Sequence, residues 1–193
     1  GMNAILKLKD PGLAAAVAAS AIDEEVPEAS RLILIRSMKE SGGPEIERAL
    51  IQMTTYSPRD IRIAAIETLG EIGGDEAADC LKGMLELSDD ELRLAAAKSA
   101  GVLLKRCRTV YAAWEKAAKA DESAPAPDMA DPDSIIYTSL ARNLGVLAAE
   151  PEELPEIRAS AVDALAMGKR MEAVPVLIGI MRAESGYRDR TNK

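Results

Sequence analysis

The sequence contains no histidine and no phenylalanine, and aromatic residues make up only 3% of its 193 residues. Without histidine, the commonest general base and most transition-metal sites are excluded. The phosphate-binding pattern GxxxxGK[ST] is also absent, and so is a GxGxxG motif that follows a strand. We therefore expect no catalytic residue, no metal and no cofactor, and the sequence favours a protein that is not an enzyme.

Positive charge is scarce as well. The chain has 24 Lys and Arg against 32 Asp and Glu, so its formal charge is −8, which disfavours nucleic acid and anionic membranes as partners. No apolar run approaches the roughly 20 residues of a spanning helix. Cys80 and Cys107 form no CxxC pair, which is typical of reduced, buried thiols in a cytoplasmic protein.

An internal repeat is present instead. Residues 28–53 align without a gap on residues 59–84, at an offset of 31, and residues 156–181 form a further copy. An arginine recurs at equivalent positions, namely Arg31, Arg62, Arg93 and Arg158. Each copy has two stretches with helical spacing of apolar residues, and in the first two copies a Gly-Gly pair separates them. The unit is therefore a pair of amphipathic helices.

One helix pair is too small to bury its own apolar faces, so the pairs must stack side by side. The sequence predicts an all-α fold, an α-α superhelix (solenoid) of about four to five helix pairs. It forms a single domain over residues 2–193. The predicted repeats are a partial one at 2–24, regular ones at 26–56 and 57–87, an irregular one at 88–149 and a last one at 153–183, followed by a tail at 184–193.

The segment IRIAAIETLGEIGGDEAADCLKGML resembles the phycobilisome-lyase type of HEAT-like repeat, and EIRASAVDALAMGKRMEAVPVLIGIM is similar to it. The resemblance implies that the second helices line a concave binding surface. It also implies that the recurring arginines form a ladder of ion pairs between neighbouring repeats. An accessory or lyase-like role in attaching a tetrapyrrole to a protein is a further implication.

Local signals predict several helix starts. Ser57 before Pro58 is typical of an N-cap, Ser88 and Glu91 have capping-box spacing, and Pro155 is suited to a first turn. Acidic residues fall near the starts of the second helices, namely Glu45, Glu76 and Glu172.

The repeat breaks after Arg93, where the expected glycine turn is missing. The apolar stripe predicts one helix from about Asp89 to Ala120, with a bend near Lys105 as an alternative. Residues 121–133 hold three prolines and five acidic residues without a basic one, so we expect an irregular loop, either flexible or functional. Helices are predicted over 134–149 and 11–23, the latter after a reduced first helix at 3–9.

Two candidate surfaces for binding another protein follow. On the second helices we expect outward-facing side chains at Arg48, Gln52, Asp79, Lys82 and Arg182. A basic cluster beside Tyr111 and Trp114 comprises Lys105, Arg106 and Arg108. In the alternative interpretation, the two aromatic residues belong to the core and the cations are solvated or pair with the acidic loop.

Three functions remain. A non-catalytic scaffold that binds a partner protein on its concave face is the first, because solenoids present extended surfaces and nothing in the sequence indicates catalysis. The lyase-like accessory role rests on the family resemblance alone. A DNA-repair glycosylase of the HEAT-like kind is the third, and the net negative charge disfavours it.

Overall fold

The computed structural model describes residues 11–121 and 123–169, together with helical positions 174, 175, 178 and 179. These parts of the chain contain eight continuous helices and no strand. The helices are α1 (Pro11–Ile22), α2 (Glu28–Met38), α3 (Pro44–Tyr56), α4 (Arg59–Ile72), α5 (Asp75–Met84), α6 (Asp90–Ala120), α7 (Ile135–Ala149) and α8 (Pro155–Gly168). The predicted first helix at 3–9, the tail and Glu172 lie outside the described residues.

The helices form two layers. The first helices of the pairs, α2, α4, α6 and α8, contact one another in chain order, and the second helices, α1, α3, α5 and α7, do the same. The core lies between the layers and consists of equivalent residues from successive repeats, such as Ile35 and Ile66 or Leu50 and Leu81, all fully buried. Each such side chain stabilises the stack by about 1.5–3 kcal/mol. The all-α superhelix predicted from the repeat is confirmed.

Two glycines let the first helices approach closely. A Cβ on Gly70 would lie 2.7 Å from the carbonyl oxygen of Ser99, and one on Gly101 would lie 2.7 Å from the Cα of Ala164. These glycines are 31 residues apart, so they occupy the same position in successive repeats. The close contact between α4 and α6 is thus repeated between α6 and α8, and a larger residue at either position would force the layer apart.

The predicted helix starts are partly wrong. Asp89, rather than Ser88, caps α6, since its Oδ1 accepts from the amides of Glu91 and Leu92 at 3.1 and 3.2 Å. Ser57 ends α3 and does not cap α4; its hydroxyl accepts from Arg31 Nη2 at 3.3 Å. The prediction for Pro155 is confirmed, because this residue begins α8.

The predicted ladder of ion pairs is mostly wrong. Among the described residues, only Arg93 of the four recurring arginines makes ion pairs. What recurs is a hydrogen bond from the guanidinium to a main-chain carbonyl in the last turn of the preceding second helix or, for Arg93, in the segment just after it. The bonds are Arg31 to Ala21 at 2.7 Å, Arg62 to Thr54 at 2.7 Å, Arg93 to Leu87 at 2.6 Å and Arg158 to Ala148 at 3.2 Å.

Arg93 adds a second set of bonds. Its Nε and Nη2 donate to the two carboxylate oxygens of Glu153 at 2.9 and 2.8 Å, and Nη2 also donates to Asp90. The hydrogen bond from Arg93 holds the pKa of Glu153 below its ordinary value. Because Glu153 lies just before α8, this pair ties the last described first helix to α6.

The long helix is confirmed. α6 has 31 residues, against 11 to 14 for the other first helices, and it continues through Lys105 without a break. At a rise of 1.5 Å per residue it is about 46 Å long, more than twice the length of the other first helices. Its second half therefore projects beyond the layer of first helices, and residues 123–134 return along it to α7.

We expect Arg62→Ala to lower the free energy of unfolding by about 1–3 kcal/mol, because it removes a charge-assisted hydrogen bond to the half-buried end of α3. Urea denaturation measures this loss. Arg142→Ala, at an exposed position of α7, is the matched control and should change stability by less than about 0.5 kcal/mol. Equal losses in the two variants would contradict the role of the arginine bond.

The Arg93–Glu153 pair should make stability depend on pH. Since the pKa of Glu153 is lowered in the folded protein, its contribution is complete above the unfolded pKa of about 4.3 and is lost as the pH falls through the lower folded value. Glu153→Gln should cost about 1–3 kcal/mol at pH 7 and progressively less below about pH 4. Urea titrations from pH 3 to 7 measure this, with the exposed Glu152→Gln as control; a pH-independent difference would contradict it.

Candidate partner-binding surfaces

The first candidate surface is the outer face of the second helices. Arg48 and Gln52 are exposed on α3, and Asp79 is exposed on α5. Lys82 is half-buried, with its Nζ 2.8 Å from Asp79 Oδ1. Arg182 lies outside the described residues. The structure thus brings four of the predicted side chains to neighbouring helices of one layer, where they remain available to a partner.

A groove on this layer was missed by the sequence analysis. It has a volume of about 290 Å³ and lies between α7 and the end of α5. Val146 is 65% exposed there, and Asn143 Nδ2 donates to Glu86 Oε1 across the groove at 3.0 Å. Glu86 and Glu150 give its rim a negative charge. Such a groove is suited to a partner that brings an apolar side chain to Val146 and basic side chains to the two carboxylates.

The second candidate surface, the basic cluster on α6, is not one surface, because its three residues do not share one face of the helix. Lys105 and Arg108 are exposed and three residues apart, so they share a face. Arg106 is turned about 100° away from Lys105 and is half-buried, with Nε and Nη2 buried and without a hydrogen-bond partner. Only Lys105 and Arg108 are therefore on an open surface.

Tyr111 and Trp114 hold the acidic loop. Their rings make an edge-to-face contact with centroids 5.7 Å apart. The Tyr111 hydroxyl donates to the carbonyl of Met129 at 3.0 Å, and Trp114 Nε1 donates to the carbonyl of Ala124 at 3.4 Å. These aromatic side chains are half-buried between helix and loop. The projecting half of α6 thus serves as a support along which residues 124–130 are bound.

Asp75 joins the far end of this loop to the repeats. Its Oδ1 accepts from the amide of Ala130 at 2.9 Å and from the hydroxyl of Tyr137 at 2.9 Å. Burial raises the pKa of Tyr137, and the bond to Asp75 raises it further. Burial also raises the pKa of the neighbouring Cys107 thiol to about 11, so this cysteine is a poor nucleophile.

Glu47 caps a helix of the next repeat. Its Oε1 accepts from the amides of Gly74 and Ala77, at 2.7 and 2.8 Å, at the start of α5. A carboxylate satisfies otherwise unpaired amides and is favoured by the positive end of the helix dipole. The acidic residue predicted to act here, Glu76, is exposed in the first turn. The cap comes from the preceding repeat and could not be found from local spacing.

Glu47, Asp75 and Arg106, together with residues 127–130 of the loop, border a polar cleft of about 470 Å³. Its walls are the starts of α3 and α5, the middle of α6 and the loop. The charged residues that line it are Glu47, Asp75, Glu76, Arg106 and Asp128, so their formal sum is −3. Desolvation lowers the pKa of the Arg106 guanidinium, partly opposed by the negative charge of Glu47.

Other kinds of site are not found among the residues that the structure describes. No group of three or more acidic or cysteine side chains is placed to hold a metal ion. None of the described helices is both long enough and apolar enough to cross a membrane.

The bond from Asp75 should hold the loop in place. We expect Asp75→Ala to free Ala130 and Tyr137 and to speed cleavage within residues 121–134 by about tenfold, since removing one buried acceptor costs at least about 1.4 kcal/mol of local stability. Limited proteolysis with mass spectrometry measures the cleavage rate and site. Asp79→Ala, at an exposed position of the same helix, is the control, and unchanged cleavage in Asp75→Ala would contradict the role of the bond.

Comparison with known proteins agrees with the repeat geometry. Residues 15–101 match the family model for HEAT repeats, and this range covers most of α1, all of α2 to α5 and the first part of α6. A search of curated proteins found no significant match. The packing of α6, α7 and α8 continues the same two layers beyond the matched range. Residues 15–101 are therefore similar to HEAT repeats, and the stacked helix pairs agree with that likeness.

Proposed function

We propose that the protein is a non-catalytic scaffold that binds a partner protein on the face of its second helices. The groove beside Val146 is the observation that carries this proposal. It places an exposed apolar side chain between two carboxylates, on a layer whose neighbouring helices expose further charged groups. Stacked repeats extend such a surface across several helices, which is how solenoids recognise other chains.

The chemistry of the groove indicates the kind of partner segment. Burying Val146 favours an apolar side chain opposite it, and Glu86 and Glu150 favour flanking lysines or arginines. The net charge of −8 strengthens the attraction at long range. Arg48 and Lys82 lie on the adjacent helices, so an acidic residue farther along the same segment would fix its direction.

A matched pair of variants tests this assignment. The first combines Val146→Asp, Arg48→Glu and Lys82→Glu on the second helices. The control combines Ile33→Asp, Arg36→Glu and Lys98→Glu, the same kinds of change at exposed positions of the first helices. Affinity capture from a cell lysate identifies the partner, and calorimetry with the purified partner then measures the dissociation constants.

We expect the first variant to weaken binding by at least about tenfold, because it places a charge in the apolar contact and reverses two charges beside it. The control should bind as the unaltered protein does. Equal binding by the two variants, or loss only in the control, would place the interface elsewhere. The lyase-like and DNA-repair roles stay predictions; absorbance of a bound tetrapyrrole or salt-sensitive DNA binding would favour them.

A further inference from the structure

Arg106 in the cleft has hydrogen-bonding capacity that the protein does not use. Its buried Nε and Nη2 have no partner, and these two nitrogens form one edge of the guanidinium. The same edge of Arg93 is bound to both carboxylate oxygens of Glu153 at 2.9 and 2.8 Å. At Arg93 this edge donates to a carboxylate, the group that it binds best. At Arg106 the same edge has no acceptor.

The nearby carboxylates are already engaged. Asp75 accepts from Ala130 and Tyr137, and Glu47 Oε1 accepts from two amides of α5. Because these bonds hold loop and helix in place, turning Asp75 or Glu47 Oε1 toward Arg106 would leave other groups unpaired. A ligand that supplies the missing acceptors would satisfy the guanidinium without disturbing them.

The charge of the cleft limits which ligand fits. The five charged groups in its lining sum to −3, so a phosphate or a simple dianion would be repelled. A carboxylate can reach Arg106 only if the same molecule also brings positive charge. Glu76 and Asp128 are exposed at the rim and are suited to an ammonium or guanidinium group.

We propose that this cleft binds a zwitterionic ligand. Its carboxylate pairs with the Nε and Nη2 edge of Arg106 once that side chain rotates to turn the buried edge into the cleft. Its cationic group lies against Glu76 and Asp128. The volume of about 470 Å³ accommodates an amino acid or a few residues of a peptide. The cleft is a different site from the Val146 groove, and the proposal does not depend on the scaffold function.

Stability provides a first test. A buried, unpaired cation costs free energy, so Arg106→Met should leave the melting temperature of the full chain unchanged or raise it. Arg108→Met, at the exposed neighbour on α6, is the matched control and should change little. A clear loss of stability in Arg106→Met alone would show that the guanidinium has a structural partner, and would overturn the proposal.

Binding provides the second test. The probes are glycine, 4-aminobutyrate and 6-aminohexanoate, each with its amide, which lacks the carboxylate, and its N-acetyl form, which lacks the ammonium. A capped peptide with one lysine and one aspartate distinguishes a protein segment from a free amino acid as the source. NMR shifts of the Gly74 and Ala130 amides locate binding, and titration gives the affinity.

We expect at least one zwitterion or the peptide to shift the cleft amides. Affinity should fall about tenfold or more in Arg106→Met and in both blocked analogues, the loss of one charge-assisted pair, and should be unchanged in Arg108→Met. Three results would each overturn the proposal: no probe shifts these amides, the blocked analogues bind equally well, or Arg106→Met binds with unchanged affinity.

Discussion

The hydrogen bond from a recurring arginine to the end of the preceding helix is the interaction on which the stacking of repeats depends. A cation in the first turn of its own helix opposes that helix's dipole. Arg31, Arg62 and Arg158 instead place the guanidinium at main-chain carbonyls that close the previous second helix, where positive charge is favoured and carbonyls need partners. The same contact therefore offsets the unfavourable position of the cation in its own helix and connects neighbouring repeats.

The third repeat lacks the Gly-Gly pair that separates the two helices of the preceding repeats. From this point on the fold departs from the regular repeat. Gly42 and Gly43 adopt φ of 62° and 108° between α2 and α3, a conformation that other residues rarely adopt. The equivalent positions, Leu104 and Lys105, continue α6 as a helix. The chain then needs a long return segment before α7, and that segment packs on Tyr111 and Trp114. The cleft exists because the return segment crosses the turns of the earlier repeats.

The helices and their layers could be predicted because they depend on apolar spacing within about 30 residues. The partners of polar side chains could not, since they come from other repeats: Glu47 caps a helix 27 to 30 residues later, and Asp75 binds Ala130, 55 residues away. The sequence placed Arg106 in a basic cluster, but helical rotation separates it from Lys105 and Arg108. The charges in the sequence do not indicate that Arg106 is partly buried. The missing glycine turn, in contrast, indicates where the fold departs from the repeat.

The two proposed sites differ in what builds them. The face of the second helices follows from repetition, since each added pair contributes an equivalent surface, and a partner bound there would contact several helices. The cleft is formed once, by the long helix and its return loop, and it keeps a buried cation at a cost to stability. Positions that are costly to the fold are retained most readily where a ligand offsets the cost. If both proposals hold, the regular surface would provide area for a large partner, while the irregular cleft would select a ligand by a particular pair of charges.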